Sequence, residues 1–243
     1  MPLPFVRTLI IAAAVLVGGH GAAAAAPASG DPPAAVSSNE ALTLSLWLRR
    51  AEQGGAEAQF TVGTMYATGK GAELDYIEAG KWFRLAAAQD HPRALWAMGT
   101  LYDNGWGVAR DRLEAFRWYR LAAEKGEPQA QTHVGAFYIE GLVVEQNAPE
   151  AVIWFRRAAV QGSVRAMLSL ANIYGEGLGM AQDYPRALMW FYFAAQTFRA
   201  NGTPSSDVQQ QVDALARKMT YQQLQEAARI GELCEGSNYT MCE

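Results

Sequence analysis

The sequence predicts an all-α fold, a solenoid of α/α helix-turn-helix units, and three observations carry that expectation. The chain repeats itself with a period of 36 residues. Within each period, apolar residues fall in two runs at helical spacing. Each pair of runs is separated by glycines and then by an Asp or Asn of the kind that caps a helix.

The period is visible in many slots at once. Ala58, Ala94, Ala130 and Ala166 stand 36 residues apart. The same step joins Gly63, Gly99, Gly135 and Ala171, then Tyr66, Tyr102, Tyr138 and Tyr174. It also joins Gly69, Gly105, Gly141 and Gly177, and the tryptophans Trp82, Trp118, Trp154 and Trp190. Gap-free coincidence of this kind marks units that bury their faces against their neighbours.

In the first copy, Ala58, Val62, Met65 and Tyr66 form one helical stripe. Gly69 and Gly71 end that helix, because glycine takes a left-handed exit without strain. Asp75-x-x-Glu78, Asp111-x-x-Glu114 and Asn147-x-x-Glu150 match a capping box at the start of the second helix. In the fourth copy Asp183 keeps the cap, but Arg186 replaces the reciprocal acid. The second helix then buries Ala79, Trp82, Phe83 and Ala86. Small residues at facing slots let two backbones approach, and the recurring Trp and Tyr are read as core.

The second copy, with Ala94, Met98, Gly99, Tyr102, Gly105, Gly107, Val108, Asp111, Ala115, Trp118, Tyr119, Ala122 and Ala123, resembles the Sel-one-like repeat (SLR) family, a relative of the tetratricopeptide repeat. The third copy departs at Val143, where a second loop glycine is expected, and the fourth has Ala171 for the helix glycine. The resemblance implies a right-handed superhelix whose first helices form a concave wall. It also implies a protein partner, with the chain acting as an envelope adaptor or as a regulator of a receptor or assembly. A host-facing surface binding protein is the alternative. Some cysteine-rich relatives act weakly on β-lactams, which supplies an enzymatic alternative. This chain, however, has no cysteine in any repeat and no Ser-x-x-Lys.

The ends are read as follows. Residues 1–25 are a signal peptide, with Arg7, the apolar run Leu9 to Val17 and small residues from Ala22 onward. The apolar run is about half of a spanning helix, so no membrane insertion is expected after cleavage. The mature chain is then periplasmic or secreted. Residues 26–39 are a flexible linker, and 40–57 are a capping half-repeat in which Trp47 precedes Trp82 by 35 residues. Residues 58–201 hold the four repeats, and 202–233 hold C-terminal capping helices. Ser205 or Ser206 opens the first of these, which runs to about Met219; Thr220-x-x-Gln223 opens another, which stops at Gly231. The tail, 234–243, carries Cys234 and Cys242, read as one disulfide outside the cytoplasm, with free thiols or an intermolecular link left open.

Chemistry is scarce. With 20 Lys and Arg against 24 Asp and Glu, and Arg7 in the leader, the exported chain is acidic, which argues against nucleic acid. His91 precedes Pro92 and reads as a solvated turn residue; His133 lies on a first helix, and neither has metal-ligand spacing around it. The Gly-x-Gly loops follow no strand and precede no Lys-Ser/Thr, so they read as turns. No enzyme activity and no cofactor are expected. Opposite the core stripe, the first helices present Thr61 and Thr64, Ala97 and Thr100, His133 and Ala136, and Ser169 and Asn172. This small, uncharged lining suits an extended segment or helix of a protein partner. Trp96 and Trp106 have no Trp counterpart in the other copies and are candidate interface anchors, or else extra packing.

Overall fold

The computed structural model describes residues 38–141 and 143–237. Among the described residues there are eleven helices and no strand. They are α1 (Ser38–Glu52), α2 (Ala56–Thr68), α3 (Tyr76–Ala87), α4 (Pro92–Asn104), α5 (Arg112–Glu124), α6 (Pro128–Glu140), α7 (Ala148–Val160), α8 (Val164–Glu176), α9 (Tyr184–Ala200), α10 (Ser206–Lys218) and α11 (Tyr221–Gly236). First helices begin at Ala56, Pro92, Pro128 and Val164, and second helices at Tyr76, Arg112, Ala148 and Tyr184, each set spaced by 36 residues. The repeats therefore start at residue 56 rather than 58. The chain divides into two compact units, the first ending at Val134 and the second beginning at Gly135.

Within each repeat, the two helices meet where glycine faces an aromatic ring. A methyl group on Gly63 or Gly99 would lie 2.6 Å from the ring of Phe83 or Tyr119. On Gly135 it would lie 2.9 Å from Phe155. These distances are well inside contact, so the ring occupies the volume that a side chain would need. The fourth copy tolerates Ala171 at this slot, with Phe191 in the ring position, and both are buried.

The turn between the helices is equally regular. Gly69, Gly105, Gly141 and Gly177 adopt left-handed φ angles of 67 to 74°. The N–H groups of Asp75, Asp111, Asn147 and Asp183 donate to the carbonyls of Tyr66, Tyr102, Tyr138 and Tyr174 at 2.8 to 3.0 Å. The same four residues accept from backbone N–H groups at the start of the second helix.

The expected capping boxes are only half formed. Glu78 and Glu114 turn to Lys81 and Arg117 instead of reaching back to the cap. Glu150, followed at the corresponding slot by Ile153, accepts the indole N–H of Trp154 at 2.9 Å. A cation three residues on thus diverts the acid in two copies and an indole does so in the third. Thr220 and Gln223 form both halves of a box at α11.

The tryptophan slot is not uniformly core. Trp190 is fully buried and Trp154 is 7% exposed, whereas Trp82 and Trp118 are only half-buried. For Trp190, burial follows from what covers its helix. In the second unit, α10 and α11 pack on α9, and Trp190 meets Phe193 edge-on. In the first unit, Trp82 lies at the margin of a small cluster with Trp47, Leu44 and Tyr66 around Ala51 and Val62. Trp47 on α1 thus packs against the same cluster as Trp82. The terminal helix continues past Gly231 to Gly236, so Cys234 is a fully buried helical residue rather than part of a tail. Cys242 and the leader, residues 1–25, lie outside the described residues.

The second loop glycine has a separate task. Gly107 sits at φ 67°, and a methyl group there would lie 2.6 Å from the backbone carbon of Tyr76 at the start of α3. Gly179 makes the equivalent approach to Ala148 within the second unit. Gly126, at φ 92°, has open space around it. Gly126→Ala is expected to cost only the left-handed backbone penalty, roughly 1–2 kcal/mol. Gly107→Ala is expected to cost about 1–3 kcal/mol beyond that, because backbone cannot give way as a flexible side chain can. Urea denaturation of the two variants measures the gap, and equal losses would contradict the close approach.

Candidate functional site

The first helices of the first unit place Thr61 and Thr64 on α2, Trp96 and Thr100 on α4, and His133 on α6. The threonine hydroxyls donate to their own helices. Thr61 bonds the Glu57 carbonyl at 2.8 Å, Thr64 that of Phe60 at 2.9 Å and Thr100 that of Trp96 at 3.2 Å. Their protons are thus used, and the face they offer accepts rather than donates hydrogen bonds. Tyr119, itself buried, donates to the Thr100 hydroxyl at 3.4 Å and stacks on His133, with ring centroids 4.4 Å apart and planes 7° apart. Thr100 and His133 are therefore joined through Tyr119, so His133 is a packed ring. Ala97 is 6% exposed and belongs to the core rather than to the lining.

The two unmatched tryptophans have different surroundings. Trp96 is half-buried, and its indole N–H is enclosed without a hydrogen-bond partner. Trp106 is 41% exposed and stacks on Tyr76 at 5.0 Å, with planes 19° apart. It lies against the second helix of the preceding repeat, not on a first-helix face.

A polar cluster at the N-terminal ends of the first helices was not legible in the composition. His91 is no solvated turn residue, for its side chain is 13% exposed. Its Nδ1 accepts from the Ala94 N–H at 3.2 Å, capping α4, so Nε2 carries the proton and donates to Glu57 at 2.8 Å. The ring also stacks on Phe60 at 5.0 Å. Arg93 reaches the same Glu57 carboxylate at 2.8 Å and lies over the Phe60 ring. The hydrogen bond from His91, aided by the charge of Arg93, holds the Glu57 carboxyl below its ordinary value despite slight desolvation. The available signal was one slot, occupied by Glu57 and Arg93 in consecutive copies, where opposite charges one period apart can meet.

In the second unit, the expected lining residues converge. A recess of about 190 Å³ is bounded by Ala136, Ile139, Phe155, Ser169, Asn172 and Leu178. A second recess, of about 420 Å³, is bounded by Asn172, Gly175, Phe191, Gln211, Leu215 and Lys218, from α8, α9 and α10. Asn172 lines both and is exposed, while the Ser169 hydroxyl is turned to the Arg165 carbonyl at 3.0 Å. The lining mixes apolar side chains (Ile139, Phe155, Phe191 and Leu215) with the exposed Glu140, Glu176, Gln211 and Lys218, and the exposed polar group at the junction is an amide. Such a surface can hold an extended or helical polypeptide segment. Among the described residues, no group of three or more His, Cys, Asp or Glu is placed to hold a metal ion. None of the described helices is long and apolar enough to cross a membrane.

Four consecutive stretches, residues 56–91, 92–127, 128–163 and 164–196, match the Sel1 repeat. Their first residues coincide with the first residues of α2, α4, α6 and α8. Among solved structures, the chain is similar to a Sel1 repeat protein from Oxalobacter formigenes, with 33% identity, a TM-score of 0.61 and coverage of 74% of this chain and 79% of that one. It is also similar to c5321, a protective antigen present in uropathogenic Escherichia coli strains and displaying an SLR fold. That similarity has 31% identity and a TM-score of 0.61, over 82% of this chain and 46% of that one. Curated proteins yield no match.

Glu127 gives this region a pH dependence. It occupies the slot of His91, is 8% exposed, and burial pushes its carboxyl above the ordinary value, only partly opposed by the Gln129 N–H and Arg93. The fold thus prefers the protonated form, and stability is lost as pH rises from the ordinary to the raised value. Glu127→Gln keeps an acceptor without the charge. Its melting temperature is expected to exceed that of the unaltered chain at neutral pH. The advantage should vanish below about pH 4, the ordinary carboxylate range. Thermal melts at both pH values check the sign.

Proposed function

We propose that this chain, which belongs to the Sel1 repeat family, is an exported scaffold that binds a protein partner through the paired recesses of its second unit. Sel1 repeats generally mediate protein–protein interaction, and proteins built from them are generally scaffolds rather than enzymes. The observation that carries the site is the convergence of Ala136, Ser169 and Asn172 on a recess, lined also by Ile139 and Phe155, that a second recess adjoins at Asn172. A segment laid across Asn172 would bury apolar side chains on both sides and satisfy one backbone group with the amide.

Export to the periplasm rests on the leader, with its cation, its apolar run and its small-residue exit. In that compartment Cys234, enclosed at the end of α11, pairs with Cys242 and ties down the chain end. The role is that of an adaptor holding the outer part of a receptor or an envelope assembly. A second reading, a host-facing surface protein, draws on the similarity to a protective antigen. Protease treatment of intact cells separates the two, since only a surface protein is digested.

A photo-crosslinking residue placed at Asn172 is expected to give one discrete adduct in intact cells, whereas the same residue at the exposed Gln161 gives none. Asn172→Trp should abolish partner capture while leaving stability within about 0.5 kcal/mol, as exposed substitutions do. Equal adducts at both positions, or capture unaffected by Asn172→Trp, would overturn this site.

A further inference from the structure

The first unit carries a recess of its own, lined mainly by a second helix. Its volume is about 400 Å³, and Tyr76, Ile77, Gly80 and Leu85 of α3, with Met98 of α4 and Val108 of the following loop, line it. The recess lies where one repeat lacks a side chain that the others have. The slot of Gly80 holds Phe116, Val152 and Leu188 in the next three copies, and all three are buried. A methyl group on Gly80 would meet only the end of the Leu101 side chain, at 3.2 Å, so backbone packing does not demand glycine there. Glycine also weakens a helix interior, so its presence at an unfilled core slot is not explained by stability.

The surroundings point to an occupant. Ile77 is 62% exposed, Leu85 49% and Trp106, stacked on Tyr76 at the recess, 41%. Large apolar groups collected around a concavity mark an interaction surface, unlike apolar residues scattered singly. The lining includes two cations, Lys81 and Arg84, and no carboxylate. Lys81 is paired with Glu78, whereas Arg84 makes no ion pair among the described residues. An anionic membrane surface would be met by a broad excess of cations around a convex apolar face. Here Arg117 and Arg120 on α5 are already paired with Glu114 and Glu124, and the apolar face is hollow.

We propose that this recess captures one large apolar side chain of a partner peptide, with a neighbouring Asp or Glu of that peptide held by Arg84. The inference takes from the scaffold reading only that the occupant is a polypeptide, and it needs nothing from the second unit. Ile77, Leu85 and Trp106 form the shoulders that exclude water around the anchor, the arrangement in which a few contacts dominate binding.

The test is selection of a displayed random-peptide library on the full chain, followed by affinity measurement of the enriched peptides. Enriched peptides are expected to place an Asp or Glu beside a large apolar residue. Gly80→Leu, which fills the recess, and Arg84→Glu, an exposed change, should each weaken them about thirtyfold or more, the scale of a hot-spot contact. Asn172→Trp should leave them unchanged. Loss through Asn172→Trp alone would place peptide binding in the second unit and overturn this proposal without harming the scaffold reading. Selection without acidic enrichment, no enriched peptide, or insensitivity to Arg84→Glu would also overturn it. Binding of phosphatidylglycerol vesicles that Arg84→Glu removes would assign the face to a membrane instead.

Discussion

The repeats depend on a small residue of the first helix, glycine in three copies and Ala171 in the fourth, lying against an aromatic ring of the second. Where Gly63, Gly99 and Gly135 face Phe83, Tyr119 and Phe155, the space for even one methyl group is taken by the ring. That closeness fixes the separation of the two helices. It thereby sets where the turn glycine must reverse the chain and where the cap residue finds the tyrosine carbonyl. The 36-residue step recurs without a gap because each copy must reproduce one spacing. Close packing of this kind leaves little room for drift at the slots that carry it.

The proposed binding faces occupy what this constraint leaves free. On the first-helix faces, side chains outside the contact vary from copy to copy, and they produce quite different surfaces. In the first unit they are consumed internally, by threonines bonded to their own helices and by His133 stacked on Tyr119. In the second unit the same slots, with Ala136, Ser169 and Asn172, open into adjoining recesses. On the second helices, a recess lies at Gly80, whose slot is occupied by the buried Phe116, Val152 and Leu188 in the other copies. Variation at a conserved spacing is how a repeat scaffold acquires different binding faces without changing its core.

The helices were legible because periodicity reports on packing summed over four copies, and so was the small-residue approach between them. The partner of that approach was less legible. Recurrence singled out tryptophan, but the ring against the glycine belongs to the neighbouring slot, and Trp82 and Trp118 remain half-buried. The capping boxes failed for a local reason, since a pattern of two residues does not register Lys81 or Arg117 competing for the same acid. His91 was misjudged because its partners come from a different copy, Glu57 and Phe60, and single-helix patterns carry no information across a period. Ser169 and Asn172 were singled out by subtracting the core stripe, and the structure places them on the lining of recesses. Gly80 was missed because an absent side chain in a slot of unlike residues leaves no recurrent mark.

The central claim is that the glycine and the ring share one volume, and a double-mutant cycle on Gly99 and Tyr119 tests it most directly. Alanine is favoured over glycine within a helix by roughly 1 kcal/mol, so Gly99→Ala would stabilise the chain if nothing opposed it. It is expected to destabilise instead. Tyr119→Ala should also destabilise, by about 3–5 kcal/mol as for a buried aromatic. Once the ring is gone, however, the added methyl has room, so the double variant should be more stable than the sum of the single losses predicts, by about 1 kcal/mol or more. Strictly additive losses, or a Gly99→Ala variant more stable than the parent, would show that the helices are not held apart by that ring.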